Sequence, residues 1–403
     1  MEFRQLVKKR SRNKILYQLK MDMMFEAYLT HDSDRPEPDD IPQTNEPVWI
    51  LGKKYNTVHD IELIRSDIRS RLWFTYRKNF IPIGDSGKTS DKGWGCMLRC
   101  GQMLMAQALL NHHLGRDWLW NISYNDEKYV RIVKMFEDRK SAGYSIHQIA
   151  LMGASEGKQV GDWFGPNTVA QVLKKLARYD DWSNLAVHVA LDNTIVLNEI
   201  CKSCLFIFNW NENNLIIAIS TGSLQRTRWK PLVLIVPLRL GINEINSIYI
   251  QGLKACFTFP QSLGAIGGKP NHALYFIGIV GNDVIFLDPH VTQMSGSLHN
   301  KTTEQERKID NSYHCHQASR LHILHMDPSV AVGFFCKSEE DFNLLIKQIR
   351  ETVMLDKQPL FEIRDKSHVP WAERGQEATS LAHVHVHRHR NRDDSDEDFE
   401  IIE

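Results

Sequence analysis

Residues 93–110 read GWGCMLRCGQMLMAQALL, and the interpretation of the whole chain starts from this stretch. Apolar residues recur at helical spacing after Cys96, and glycines at positions 93 and 95 flank Trp94 just before it. Glycines at such positions allow a tight turn and a close approach by another part of the backbone. The stretch therefore predicts a helix that carries Cys96 in its first turn.

Cys96 at a helix start has two interpretations. The unpaired N–H groups and partial positive charge of a helix N-terminus stabilise a thiolate, and they can also hold an oxyanion during acyl transfer. Alternatively, Cys96 is a small buried hydrophobe, as most unpaired cysteines are. This stretch alone leaves the two about even. Cys100, one turn later, is expected to pack in the core, with redox regulation of Cys96 as the lesser alternative.

Composition bounds the class of protein. The 403 residues suffice for one large domain with tails or for two domains, and 49 basic against 49 acidic residues give no argument for nucleic acid. Seven cysteines without a repeating spacing do not resemble a secreted disulfide framework. No run is long and apolar enough to span a bilayer. We therefore expect a cytoplasmic, reducing environment.

Folded signals run from about Val48 to about Val353, and the predicted domain is residues 46–345, between a flexible N-terminal tail, 1–45, and a largely disordered C-terminal tail, 346–403. Helical patterns dominate its first half; they cover residues 60–80, 100–114 and 165–179. Strand patterns dominate its second half; they cover 185–191, 205–210, 214–219, 231–238, 331–336 and a hairpin, 272–290, that turns at Gly281-Asn282. Helices followed by mostly antiparallel strands predict an α+β fold.

A base for the thiol is offered by the segment LDPH, residues 287–290. Asp288 and His290 are two residues apart at the end of an apolar strand, so their side chains are expected on one side, with the aspartate fixing the histidine tautomer. The alternative is an ordinary Asp-Pro turn. Four further histidines lack an equally placed aspartate; they are His112, His113, His147 and His272. His188 lies inside an apolar strand and is expected to be a core histidine.

Several longer segments resemble the autophagins, the cysteine proteases that process ubiquitin-like autophagy modifiers. The segments are EPVWILGKKY, SRLWFTYRKNF, GWGCMLRCGQM, SIHQIA, GPNTVAQVLKKLA, PQSLGAIGGKPN, YFIG, LDPH and VGFFCK. The resemblance covers roughly residues 46–345. It implies a papain-like fold with a small added subdomain at about 180–230. It also implies cleavage after a C-terminal glycine, which matures the modifier precursor and releases the modifier from phosphatidylethanolamine.

The resemblance also implies a role for particular residues. Cys96 would be the nucleophile, His290 the base and Asp288 its orienting partner, while Tyr76 would stabilise the oxyanion together with the Cys96 N–H. Trp163 would cover the cleft, opposite a glycine-rich loop at 260–271 that lifts for substrate. The substrate-gating residues of that loop would be Gly264, Ala265, Ile266 and Gly267. No cofactor and no metal are expected.

The C-terminal segment DDSDEDFEIIE indicates a second contact with the modifier. Phe399 and Ile402 have the aromatic-x-x-aliphatic spacing of short motifs that add a strand to a sheet and fill two apolar pockets. The expected partners are the modifier precursor and its phosphatidylethanolamine conjugate, with transient contact to the autophagic membrane through the substrate. We expect a monomer.

Two rival functions are weaker. A non-catalytic adaptor of the same fold would predict a damaged set of catalytic residues, whereas Cys96, Asp288 and His290 are all present. A redox or metal protein built on CKSC, residues 201–204, would need a second cysteine pair at zinc spacing or a thioredoxin-like setting, and the sequence offers neither.

Overall fold

The computed structural model describes residues 41–208, 226–299, 302–354 and 358–366. The helices are α1 (Ile61–Arg69), α2 (Cys96–His113), α3 (Glu127–Lys134), α4 (Ile146–Met152), α5 (Pro166–Leu176), α6 (Leu197–Cys204), α7 (Ile250–Thr258), α8 (Glu304–Asn311) and α9 (Glu339–Thr352). Short 3-10 turns occupy Gly84–Ser86, Gly153–Glu156, Ala177–Tyr179, Ser247–Tyr249 and Ile323–His325. Three predicted features lie outside the described residues: most of the N-terminal tail, the strand at 214–219 and the motif at Phe399 and Ile402.

The first eight strands are β1 (Pro47–Ile50), β2 (Lys53–Asn56), β3 (Tyr76–Lys78), β4 (Ala186–Val189), β5 (Thr194–Val196), β6 (Leu205–Phe208), β7 (Arg226–Trp229) and β8 (Leu232–Arg239). The others are β9 (Ser262–Lys269), β10 (His272–Val280), β11 (Asp283–Leu287), β12 (Thr292–Met294), β13 (Ser319–His322), β14 (Ser329–Cys336) and β15 (Glu362–Arg364).

A nine-stranded sheet organises the fold, in the order β13-β11-β10-β9-β14-β8-β4, with β1 beside β10 and β2 beside β1. Its pairings are antiparallel except that of β4 with β8. The predicted hairpin turns at Gly281-Asn282, between β10 and β11. Helices and a mainly antiparallel sheet confirm the predicted α+β class.

Two hydrophobic clusters lie on opposite faces of this sheet, because alternate residues of a strand point to opposite faces. In β10, Ala273 and Tyr275 belong to one cluster, and Leu274 and Phe276 to the other. Helix α2 packs in the first cluster, against β9 and β10. All its residues from Cys96 to Asn111 are buried. The helix is therefore buried on every side over these residues.

The region 60–80 is not one helix as predicted. Helix α1 ends at Arg69, and residues from Tyr76 form β3, which pairs in parallel with β12. Residues 70–75 separate the two elements, and β3 itself comprises Tyr76, Arg77 and Lys78. The tertiary pairing with β12 therefore outweighs the helical periodicity that extends through this region.

The segment 260–271 is also not the predicted loop. Residues 262–269 form β9, which pairs with β10 on one side and β14 on the other. Gly264, Ala265, Ile266 and Gly267 are all buried there. At Gly267 an added Cβ would lie 2.7 Å from Val330 Cγ1, so this glycine permits β14 to approach. The glycines that suggested a mobile loop instead allow close strand packing.

The predicted boundaries also need correction. Strand β4, at the start of the expected subdomain, pairs with β8 and so belongs to the main sheet. The expected boundary at residue 345 falls inside α9, whose Ile346 and Ile349 are buried. Beyond it, Leu360 and Phe361 are buried and β15 pairs with β5, so the folded unit extends through Asp365. Among the described helices, none is both long and apolar enough to cross a membrane.

Candidate active site

Cys96 is the first residue of α2, as the sequence predicts, and it is buried. Gly95 occupies the N-cap position and has no side chain to bind the N–H groups of the first turn. Those N–H groups therefore remain available near the thiol, where they stabilise negative charge on sulfur or on an adjacent oxygen.

Asp288 and His290 follow directly after β11 and form a close pair. Asp288 Oδ1 accepts a hydrogen bond from the His290 backbone N–H at 2.9 Å and lies 2.5 Å from its Nδ1. One carboxylate oxygen thus binds both groups of the same residue. The histidine ring is consequently fixed with Nδ1 toward the aspartate and Nε2 pointing away from it.

Two buried polar groups lie close enough to the Cys96 thiol to interact with it electrostatically. His290 Nε2 and the Tyr76 hydroxyl have no nitrogen or oxygen partner among the described residues. Both instead interact with the Cys96 thiol. The Tyr76 ring packs edge-on against His290, with centroids 5.4 Å apart and an interplanar angle of 84°. The structure therefore brings Tyr76, Cys96, Asp288 and His290 into one site.

The electrostatics of this site favour a charged histidine. Burial by itself lowers the pKa of His290, but hydrogen bonding to Asp288 and to the Cys96 thiol outweighs burial and raises that pKa to about 9. The imidazolium form thus predominates at neutral pH. Burial, followed by the nearby thiol, raises the pKa of Tyr76. Its hydroxyl therefore stays protonated and can donate a hydrogen bond.

Strand β3 connects these groups. The Tyr76 backbone N–H donates to the Pro289 carbonyl at 2.9 Å, between the two members of the Asp-His pair. Trp73, three residues earlier, donates from Nε1 to the Asp288 carbonyl at 2.7 Å. Sequence reasoning did not find Trp73, because nothing in its local pattern links it to a residue 215 positions away.

Residues 61–348 match the family described as the Peptidase C54 catalytic domain. The chain belongs to this family and is a cysteine peptidase. It is 51% identical to cysteine protease ATG4B of Gallus gallus over 359 residues, which are 85% of this chain and 90% of that protein.

Two further relatives agree. Cysteine protease ATG4A of Xenopus laevis is 49% identical over 356 residues, covering 85% of this chain and 89% of that protein. Cysteine protease ATG4A of Bos taurus is 50% identical over 344 residues, which cover 83% of this chain and 85% of that protein. These matches confirm the predicted autophagin family, its papain-like fold and the predicted class of enzyme.

The residue that stacks on His290 was not predicted as part of the site. Strands β9 and β10 meet in a turn at Pro270-Asn271, and the ring of His272, just after it, stacks on His290 at 5.4 Å with an interplanar angle of 25°. Sequence reasoning set His272 aside because it lacks an aspartate nearby. The turn after β9 therefore adjoins the site through His272, and the gating role of Gly264, Ala265, Ile266 and Gly267 stays a prediction.

Trp163 and Cys100 were also predicted as site residues. Trp163 is half-buried just before α5, and its ring lies over Gly165, where an added Cβ would be 3.7 Å from Cζ3. Its gating role stays a prediction. Cys100 is buried within α2, and burial followed by the nearby Cys96 raises its pKa well above the ordinary thiol value. These properties favour core packing over redox regulation.

Proposed function

We propose that this cysteine peptidase cleaves ubiquitin-like autophagy modifiers after a C-terminal glycine, both maturing the precursor and releasing the modifier from phosphatidylethanolamine. The observation that carries the proposal is the Cys96 thiol at the start of α2, facing both His290 and Tyr76. The names of the ATG4A and ATG4B relatives support the protease activity. We also propose that it acts in the cytoplasm. Its substrates are the free precursor and the membrane-attached conjugate, and it contacts the membrane transiently through the conjugate.

The proposed reaction is acyl transfer in two steps. The Cys96 thiolate attacks the glycine carbonyl carbon, and the resulting oxyanion accepts hydrogen bonds from the Tyr76 hydroxyl and the Cys96 N–H. The His290 imidazolium donates its Nε2 proton to the leaving amine, which departs as the C–N bond breaks. Neutral His290 then takes a proton from water, which attacks the thioester and returns Cys96 to the thiolate.

Burial of the site supports glycine at the cleaved position. The Cys96 side chain has no exposed surface, and His272 covers one face of His290. We propose that substrate reaches this sulfur through a narrow opening, where a residue without a side chain passes with the least displacement. We propose that Trp163 forms part of this opening, and that Phe399 and Ile402, outside the described residues, bind the modifier separately.

Cleavage of a modifier precursor that carries a reporter after its glycine tests the proposal. We expect Cys96→Ala to lose about 10⁴-fold or more in turnover while it still binds the precursor. Cys100→Ala is the matched control: it removes a buried thiol from the same helix and should retain turnover within about threefold once folded protein is counted.

Other outcomes would give different answers. If Cys96→Ala cuts as well as the wild type, Cys96 is not the nucleophile. If the wild type binds the precursor but does not cut it, the adaptor interpretation replaces the protease. A parallel assay on vesicles carrying the phosphatidylethanolamine conjugate tests release separately from maturation.

A further inference from the structure

Asp91 lies between the strand that carries Tyr76 and the helix that carries Cys96. Its Oδ1 accepts a hydrogen bond from the Arg77 backbone N–H at 2.7 Å, directly after Tyr76. Its main-chain carbonyl accepts from the Gly95 N–H at 2.8 Å, directly before Cys96. One buried residue is thus bonded to the chain neighbours of both groups that face the substrate carbonyl.

The Asp91 carboxylate also packs directly on the helix start. An added Cβ on Gly95 would lie 2.4 Å from Asp91 Oδ2 and 2.6 Å from Asp91 Cβ. No real side chain tolerates such a distance, so a glycine precedes Cys96 because the carboxylate occupies this space. A shift of the carboxylate would accordingly shift the first turn of α2.

Arg99 holds this carboxylate in place from one turn along α2. Its Nε donates to Asp91 Oδ2 at 2.8 Å and its Nη2 to Asp91 Oδ1 at 3.1 Å, a two-point pair with restricted geometry. Its Nη1 donates to Asp138 Oδ1 at 2.8 Å. All three side chains are at most 2% exposed. The two carboxylates therefore bind opposite sides of one buried guanidinium.

We propose that Asp91 is a positioning residue that sets the distance between the Tyr76 hydroxyl and the Cys96 sulfur. This inference rests on the proposed function, in which these groups act on the same carbonyl. Since β3 is also bonded to Pro289, Asp91 aligns the helix start with the strand that borders the Asp288–His290 pair. A displacement of about 1 Å in such a site lowers turnover about 10²-fold while substrate binding elsewhere is unaffected.

The first test compares Asp91→Asn with Asp138→Asn. Both remove one carboxylate charge from Arg99, but only the Asp91 side chain also accepts from the Arg77 N–H and packs against Gly95. The concentration of active sites is titrated with a modifier whose C-terminus reacts covalently with Cys96. Turnover is then expressed per active site, so that a loss of folded protein does not change kcat. We expect kcat of Asp91→Asn to fall about tenfold to 10²-fold with KM within about twofold. For Asp138→Asn we expect kcat within about threefold, despite a lower melting temperature.

The second test is a double-mutant cycle with Tyr76→Phe, which a purely structural role of Asp91 would not affect. In the wild type and in Asp138→Asn, we expect Tyr76→Phe to lower kcat about tenfold or more. In Asp91→Asn the additional loss should be under about threefold, because the hydroxyl is already displaced. Should Asp91→Asn not fold, Gly95→Ala displaces the same carboxylate without removing its charge and should show the same non-additivity.

The proposal is overturned if Tyr76→Phe lowers kcat by as much in the Asp91→Asn and Gly95→Ala variants as it does in the wild type. A Tyr76→Phe variant as active as the wild type also overturns it, since no hydroxyl then remains for Asp91 to position. These results differ from failure of the proposed function. If Cys96→Ala remains active, the assigned nucleophile is wrong; if Cys96→Ala is inactive and the cycle is additive, only the role of Asp91 is wrong.

Discussion

Two groups of hydrogen-bonding side chains in this protein contain the same three residue types, aspartate, tyrosine and histidine. One is the active-site group, formed by Tyr76, Asp288 and His290. The other is the Tyr129 cluster, formed by Tyr129, Asp310 and His314. In the cluster the Tyr129 hydroxyl donates to Asp310 Oδ1 at 2.6 Å and lies 2.7 Å from His314 Nε2. His314 Nδ1 bonds the Arg69 carbonyl at 2.7 Å.

The difference between the two groups lies in hydrogen-bonding capacity that remains unused. In the Tyr129 cluster, the hydroxyl and both ring nitrogens contact protein oxygen or nitrogen. In the active-site group, His290 Nε2 and the Tyr76 hydroxyl have no such partner within the described parts of the chain. Buried polar groups are rarely left this way unless a function uses them. Residue types alone therefore do not identify the site. The site is identified by buried hydrogen-bonding atoms that have no nitrogen or oxygen partner and lie beside a thiol.

The largest expected contrast compares His290→Gln with His314→Gln. We expect His290→Gln to lower turnover about 10³-fold or more and the free energy of unfolding by no more than about 1 kcal/mol, since Asp288 is partly exposed. His314→Gln should lower the free energy of unfolding by about 2–4 kcal/mol, because Tyr129 and Asp310 lose a buried partner. Urea unfolding and turnover per folded molecule measure the two effects. Equal loss of turnover in both variants would contradict the contrast.

A smaller contrast compares the two tyrosines. Tyr76→Phe should lower kcat about tenfold to 10²-fold without reducing stability, because its hydroxyl bonds no nitrogen or oxygen in the described structure. Tyr129→Phe should leave kcat unchanged and lower the free energy of unfolding by about 1–3 kcal/mol. The measurements are steady-state kinetics and chemical unfolding of both variants. A Tyr76→Phe protein that unfolds more readily but turns over normally would reverse the assignment.

The smallest expected effect is the pH dependence of stability and turnover that His290 causes. Because the pKa of His290 is raised from 6.5 to about 9 in the folded protein, the stability it contributes is fully present below about pH 6.5 and lost as pH rises through 9. Turnover should also fall as pH rises through about 9, since the leaving amine needs the imidazolium proton. The groups that face this ring are Asp288, Cys96, Tyr76 and His272.

Two variants serve as references for the pH profile. Asp288→Asn removes the negative charge that strengthens the hydrogen bond to His290 and raises its pKa, so its alkaline limb should move to lower pH. His314→Gln should keep the wild-type limb, since it alters only the Tyr129 cluster. An alkaline limb that Asp288→Asn leaves in place would mean that another group titrates there.

Much of the secondary structure could be predicted, because its signals lie within a few residues of each other. Helix α2 and the buried strand β8 follow from apolar patterning alone, and the hairpin turn at Gly281-Asn282 follows from turn chemistry. The segment at β9 could not be predicted in this way. Its glycines indicate a loop locally, whereas they serve the approach of β14, which lies more than sixty residues further along the chain.

For the active site, the sequence alone determined the two pieces that are local. Cys96 at a helix start and Asp288 two residues before His290 are each specified by a short segment and by the geometry of a helix terminus or a strand end. The tertiary structure decided how these pieces meet. Tyr76 reaches the thiol because β3 bonds Pro289 on one side and Asp91 on the other. Each of these bonds uses a backbone N–H of β3, a group that every residue except proline carries, so no local pattern of side chains reveals which residue accepts it.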